Sequence, residues 1–172
     1  MATRTCLIPS NERAQPLDPL FQEIMNSTVV EAMGIQAVEE YPSEACGVLV
    51  GRSEHLSAIA FENIQDKLHK IDPDRYTRTS RTAYNMNTMK LARVQEEHEL
   101  RVIYHTHVEC DAYFSDEDQQ CAMTPDGSGP ILPGVDYVVM SVYDREPREL
   151  SLYRYDESSR KFEYVDGVEL QK

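Results

Sequence analysis

Apolar positions first become regular in "PLFQEIMNSTVVEAMGIQAVEEY". There Phe21, Ile24, Met25, Val29, Ala32, Met33, Ile35 and Val38 recur at helical spacing. The pattern predicts one long helix, weakened at Gly34 and ended by Pro42. "ACGVLVG", a run of small and β-branched residues closed by Gly51, reads as a buried strand, and "LSAIAFENI" as a second. Residues 65–82, "QDKLHKIDPDRYTRTSRT", carry Lys67, Lys70, Arg75, Arg78 and Arg81 and read as a long basic loop. Loops of that length in compact domains are often functional.

Farther along, "AYNMNTMKLARVQEEHEL" reads as a helix with Met86, Met89, Leu91 and Val94 toward the core. "RVIYHTHV" is a strand, "SDEDQQCAMT" opens a helix and "PDGSGPILPG" is a loop. "DYVVMSVYD", "ELSLYRYD" and "KFEYVDGVEL" are three strands, the first two joined by the turn "REPR". Three or so helices among these strands, without a repeated βαβ unit, predict an α/β or α+β layer on a mixed sheet. Residues 1–19, with three prolines, read as a flexible N-terminal arm, and 20–172 as a single domain.

Charge and composition narrow the function. A net charge of −13 over 172 residues argues against binding a nucleic-acid backbone, which rewards clustered Lys and Arg. No apolar run approaches the roughly 20 residues that cross a bilayer. The N-terminus lacks the apolar core of a secretory signal, so the expected location is the cytoplasm, with no membrane partner. Cys6, Cys46, Cys110 and Cys121 are then expected to be reduced thiols.

The densest chemistry lies in "VIYHTHVECDAYFSDED". Side chains alternate across a strand, so His105 and His107 share a face and can reach one ion. A third ligand is needed, and Glu109, Asp111, Asp116, Glu117 and Asp118 are the candidates. Ser115 looks like a helix N-cap, which puts Asp118 on the first turn of a helix beginning beside the strand end. Each signal also has a plain reading. H-x-H can be two polar residues at a strand end, Ser-x-x-Asp a simple cap, and Glu44 a solvated residue at a helix end.

In order and spacing these residues resemble the JAMM (MPN-plus) metalloproteases, whose signature is an upstream Glu, then H-x-H, ten residues and Asp, with Ser three before the Asp. The elements here are Glu44, His105 and His107, Val108–Glu117, Ser115 and Asp118. "YPSEACGVLVG" is similar to the family's upstream segment, and "LPGVDYVVMSVYD" to the stretch after its metal loop. The resemblance spans about residues 24–165 and is closest to the stand-alone prokaryotic branch.

It implies a cytidine-deaminase-like sandwich, the JAB/MPN domain, with a curved mixed sheet flanked by helices. It also implies hydrolysis of a peptide or isopeptide bond at the C-terminus of a ubiquitin-like or sulfur-carrier protein. Carried over, His105, His107 and Asp118 would hold one Zn2+, Glu44 would be the general base, and Ser115 would donate to the oxyanion. Many relatives have Pro where Val108 and Phe114 stand, a departure that bears on substrate fit. Cys110 and Cys121 flank the site as plain thiols or as competitors for zinc. The alternative function is a non-catalytic module on the same fold that binds a ubiquitin-like protein. A cupin-like barrel would need many short strands and a further distant His, which His55, His69 and His98 do not supply.

Overall fold

Pro19 opens the first described helix because Asp18 caps it, its carboxylate accepting from the Leu20 and Phe21 amides. The computed structural model describes residues 16–52 and 55–170. In chain order its elements are α1 (Pro19–Met25), α2 (Val29–Glu40), β1 (Cys46–Val50), β2 (Ser57–Phe61), α3 (Gln65–Ile71), α4 (Thr88–Glu97), β3 (Leu100–Val108), α5 (Asp116–Ala122), β4 (Asp136–Tyr143), β5 (Glu146–Asp156) and β6 (Lys161–Glu169). Residues 1–15 of the expected arm, Cys6 included, lie outside the described residues. Asp18 is tied to the domain, receiving Arg154 Nη1 at 2.8 Å while Arg154 Nη2 reaches Asp136 at 2.6 Å.

The sheet order is β2-β1-β3-β4-β5-β6, with β3 and β4 parallel and every other pair antiparallel. This is the mixed sheet expected, and it is open rather than a barrel. Alternation along β3 divides the core. Val102 and Tyr104 face α1 and α2 with Phe21, Ile24, Val29 and Met33, while Ile103 lies on the opposite face with Val94, Ala122 and Val139. His105 and His107 therefore fall on the α4–α5 side of the sheet.

Several expectations are corrected. The long first helix is two, because Ser27 Oγ donates to Ile24 O at 2.7 Å and the chain breaks over Asn26–Thr28. Its apolar spacing survived the break because both halves pack on the same core. The basic stretch is not all loop, since Gln65–Ile71 is α3. Met89 is exposed, and α4 begins only at Thr88, capped by the Asn87 side chain. The turn between β4 and β5 is Asp144–Arg145, both at positive φ, with β5 starting at Glu146.

Gly47 shows how tightly the centre of the sheet is built. A Cβ there would lie 2.4 Å from the Tyr104 hydroxyl and 2.5 Å from Ile59 O. The missing side chain lets Tyr104 lie across β1 and donate to Gln36 Oε1 at 2.6 Å. Gln36 is itself held by donation to Cys46 O at 3.0 Å. A buried hydroxyl and amide are thereby satisfied between α2 and the sheet.

Candidate metal centre

Three strand and helix ends converge beside the carboxyl end of β3. In the antiparallel pairing of β1 with β3, Cys46 lies opposite His105. The pairing extends one step further, with Thr106 N donating to Ala45 O at 2.9 Å and Thr106 Oγ1 accepting from Ala45 N at 2.8 Å. Continuing the same register sets Glu44 opposite His107. Glu44 is further fixed by its own backbone, its N–H donating to Ser80 O at 2.7 Å and its carbonyl accepting from Asn63 Nδ2 at 2.9 Å.

Asp118 arrives from the other side. Ser115 is the N-cap of α5 in a reciprocal capping box: Asp118 N donates to Ser115 Oγ at 3.1 Å and Ser115 N to Asp118 Oδ2 at 2.9 Å. The approach to the helix is anchored by packing. Phe114 stacks on Tyr153 at 5.2 Å and packs against Tyr137 and Phe162, and Tyr153 donates its hydroxyl to Ala112 O at 2.7 Å. An aromatic cluster around Phe114 thus anchors the loop that leads into α5. Gln119 exchanges two hydrogen bonds with the Phe162 backbone and ties α5 to β6.

The result is a buried cluster of His105, His107 and Asp118 whose ligand atoms all lie within 4.8 Å of one another. His105 Nε2 is 3.3 Å from His107 Nε2 and 3.3 Å from Asp118 Oδ1, and His107 Nε2 is 3.5 Å from Asp118 Oδ2. A tetrahedral ion bonded at about 2.0–2.1 Å needs ligand atoms about 3.3–3.4 Å apart, so these residues could hold a metal without rearranging. His107 Nδ1 donates to Asp111 O at 2.9 Å, which turns its Nε2 into the cluster. Inward-facing acceptors of this kind are stabilised by a cation between them.

His105 is held differently. Its Nδ1 is buried without a hydrogen-bond partner, and its ring is instead stacked on Tyr84, centroids 4.5 Å apart at 21°. Burial lowers the His105 pKa, partly offset by Asp118. Burial also opposes charge on His107, but the Asp118 and Glu44 carboxylates and the Asp111 carbonyl outweigh it and raise its pKa. Asp118 is buried, yet the two histidines and Ser115 hold its carboxyl well below the usual carboxylate range. Glu44 goes the other way. Desolvation, with Asp118 and Glu117 nearby, pushes it up to about 8 against the opposing influence of His107 and Arg78.

The other acidic candidates are not brought in. Glu109 takes a left-handed φ of 54° and turns away, its carboxylate accepting from Tyr41 Oη and Asp144 N. Asp111 serves through its carbonyl, while its carboxylate accepts from Tyr143 Oη at 2.9 Å. Asp116 is exposed, and Glu117 forms an ion pair with Arg78. Ser115 Oγ gives its proton to Asp118 Oδ2 at 2.6 Å, so here it orients the Asp118 carboxylate. Cys46, Cys110 and Cys121 are free thiols and no part of the cluster.

A cleft of about 220 Å³ opens onto the site, lined by Glu44, His107, Ser115 and Asp118 with Arg78 and Arg81 at its edge. Two contributors were missed from sequence. Tyr84 lies in a stretch read as helix, and the hold on His107 comes from a backbone carbonyl, which leaves no signature in residue type.

Comparison with known proteins identifies the family and the fold. The family model for prokaryotic homologs of the JAB domain matches residues 26–154. A protein of Mycobacterium tuberculosis named CysO-cysteine peptidase is 29% identical over 151 residues, covering 85% of this chain and 91% of that protein, and a Mycobacterium bovis protein of the same name matches equally. Among solved structures, a Salinibacter ruber protein aligns with a TM-score of 0.52 at 20% identity, over 82% of this chain and 87% of its own. A Desulfitobacterium hafniense protein aligns at 0.51 and 18%, over 78% and 84%, and both share the fold. With its family match running from α2 through β5 and across the whole cluster, this chain belongs to the prokaryotic JAB-domain family.

Proposed function

We propose that the protein is a zinc-dependent peptidase that hydrolyses a bond at the C-terminal tail of a ubiquitin-like sulfur-carrier protein. The observation that carries this reading is one cleft holding a buried two-histidine, one-aspartate cluster and a separate buried carboxylate, Glu44, with its pKa near 8. A ligand set alone suits many structural metals, whereas a non-ligand carboxylate poised near neutrality is what proton transfer requires. The mycobacterial relatives named CysO-cysteine peptidases point to the carrier as substrate.

His105, His107 and Asp118 would hold the zinc through Nε2, Nε2 and a carboxylate oxygen. When bound, zinc supplies a Lewis acid that draws the pKa of water toward about 7. Glu44 accepts one proton from the attacking water at its carboxylate and passes it to the departing amine nitrogen. The amide C–N bond breaks, and the water oxygen stays on the carrier's new carboxyl group, whose remaining proton passes to solvent as it ionises. The amine leaves carrying the proton from Glu44. Ser115 Oγ lines the same cleft; by turning its proton from Asp118 to the substrate carbonyl it would stabilise the charge that develops there.

The test is intact-mass analysis of CysO carrying one C-terminal cysteine after incubation with the zinc-loaded protein. Loss of that cysteine is expected. Binding without any product would assign the fold to a carrier-binding module and remove the catalytic reading.

A further inference from the structure

Arg78 and Arg81 both line the cleft, but they are not equivalent. Arg78 forms an ion pair with Glu117 and also donates to Thr82 O at 3.3 Å. Arg81 makes no hydrogen bond or close ion pair among the described residues; its charge acts at longer range on Glu109 and Tyr41, and its side chain is exposed where it lines the cleft. The segment that carries it is nonetheless firmly built. Gln65, buried, donates to Arg78 O at 2.7 Å, and Ser80 gives its N–H and hydroxyl to the two Asp66 oxygens at 2.7 and 2.8 Å. Ser80 O in turn accepts the Glu44 N–H at 2.7 Å, so the residue preceding Arg81 is bonded directly to the backbone of Glu44.

That linkage has a chemical meaning. Resting on the peptidase reading above, Glu44 delivers its proton to the leaving amine, so the leaving residue must lie on the Glu44 side of the scissile bond. In a C-terminal residue, the free α-carboxylate is only two bonds from that amine nitrogen. Arg78 and Arg81 are the basic residues lining that cleft, and Arg81 is the one that follows the Ser80–Glu44 backbone bond. The chain's net charge of −13 disfavours an anion at the cleft unless a local cation receives it. The guanidinium fork suits a carboxylate. A cleft of about 220 Å³ suits one small leaving residue rather than a second folded domain.

We propose that Arg81 is the specificity-determining residue that binds the terminal carboxylate of the leaving amino acid, so that the protein trims a single C-terminal residue from its carrier. The test compares CysO bearing one C-terminal cysteine as the free acid with the same adduct as the carboxamide, on zinc-loaded wild type, Arg81→Ala and Arg81→Lys. Wild type is expected to prefer the acid by about tenfold in kcat/KM, as a charged hydrogen bond at a partly open site allows. Arg81→Ala should bring the ratio to about one, the loss falling on the acid, and Arg81→Lys should retain part of the preference. An equal fall on both adducts would overturn the assignment and place Arg81 against the carrier's body. An unchanged ratio would overturn it outright. No hydrolysis of either adduct by wild type would instead remove the peptidase reading, and this inference with it.

Discussion

Glu44 and Asp118 are both carboxylates at one cleft, and their surroundings push them in opposite directions. Asp118 is met by two imidazoles and a serine hydroxyl and stays ionised. Desolvation, with like charges nearby, favours the neutral form of Glu44. Because its pKa is raised from 4.5 to about 8 on folding, the unfolded chain loses this proton first as pH rises. Stability therefore falls across that interval, by up to about 5 kcal/mol from this group. Glu44→Gln in metal-free protein should leave the melting temperature unchanged near pH 4 and raise it clearly at pH 8. Equal effects at the two pH values would show that Glu44 is not desolvated as described. A residue whose replacement stabilises the fold is held there for its chemistry.

Tyr84 makes a second residue-level prediction. It is the stacking partner of a buried histidine that lacks a hydrogen bond at Nδ1, so ring orientation depends on packing. Tyr84→Ala should weaken zinc affinity about tenfold in chelator competition, the scale of other supporting contacts around metal ligands, while Tyr84→Phe preserves it. Equal affinity in all three proteins would mean the stack does not orient His105. At this scale, sequence was informative wherever residue type carries the chemistry. The H-x-H pair, the capping Ser115 and Asp118 were legible; Tyr84 was not, because a loop path and not a periodicity delivers it.

Between elements, the site depends on how closely β1 lies against β3, which fixes Glu44 opposite His107 by register. Gly47 is the residue that permits this approach. Gly47→Ala should displace the Tyr104 ring from Gln36 and destabilise the domain by about 1–3 kcal/mol in denaturant unfolding. Full stability in that variant would show that the ring moves aside freely. Strands β1 to β6 were legible from short apolar and β-branched runs, and helix α5 from a cap. The break between α1 and α2 was not, since one apolar face runs through both. Helix α3 was hidden because it is polar apart from a few positions and buries chiefly Gln65. The proximity of Glu44 to the histidines could not be read from any periodicity; only resemblance to a known motif joined segments 61 positions apart, as the Ala45–Thr106 contact confirms for the neighbouring pair.

Across the whole molecule, the two sheet faces divide the labour. One packs α1 and α2 into an apolar core, and the other carries the cluster at the carboxyl end of β3, beside the parallel β3–β4 pair. Open sheets build sites at such strand ends. None of the described helices is long and apolar enough to cross a membrane. The account as a whole rests on separating metal binding from proton transfer. The direct measurement is zinc content and carrier-tail hydrolysis on the same preparations of wild type and Glu44→Gln. One zinc per chain in both, with turnover reduced at least about 100-fold in the variant, is the predicted result. Equal zinc content with undiminished hydrolysis would contradict it.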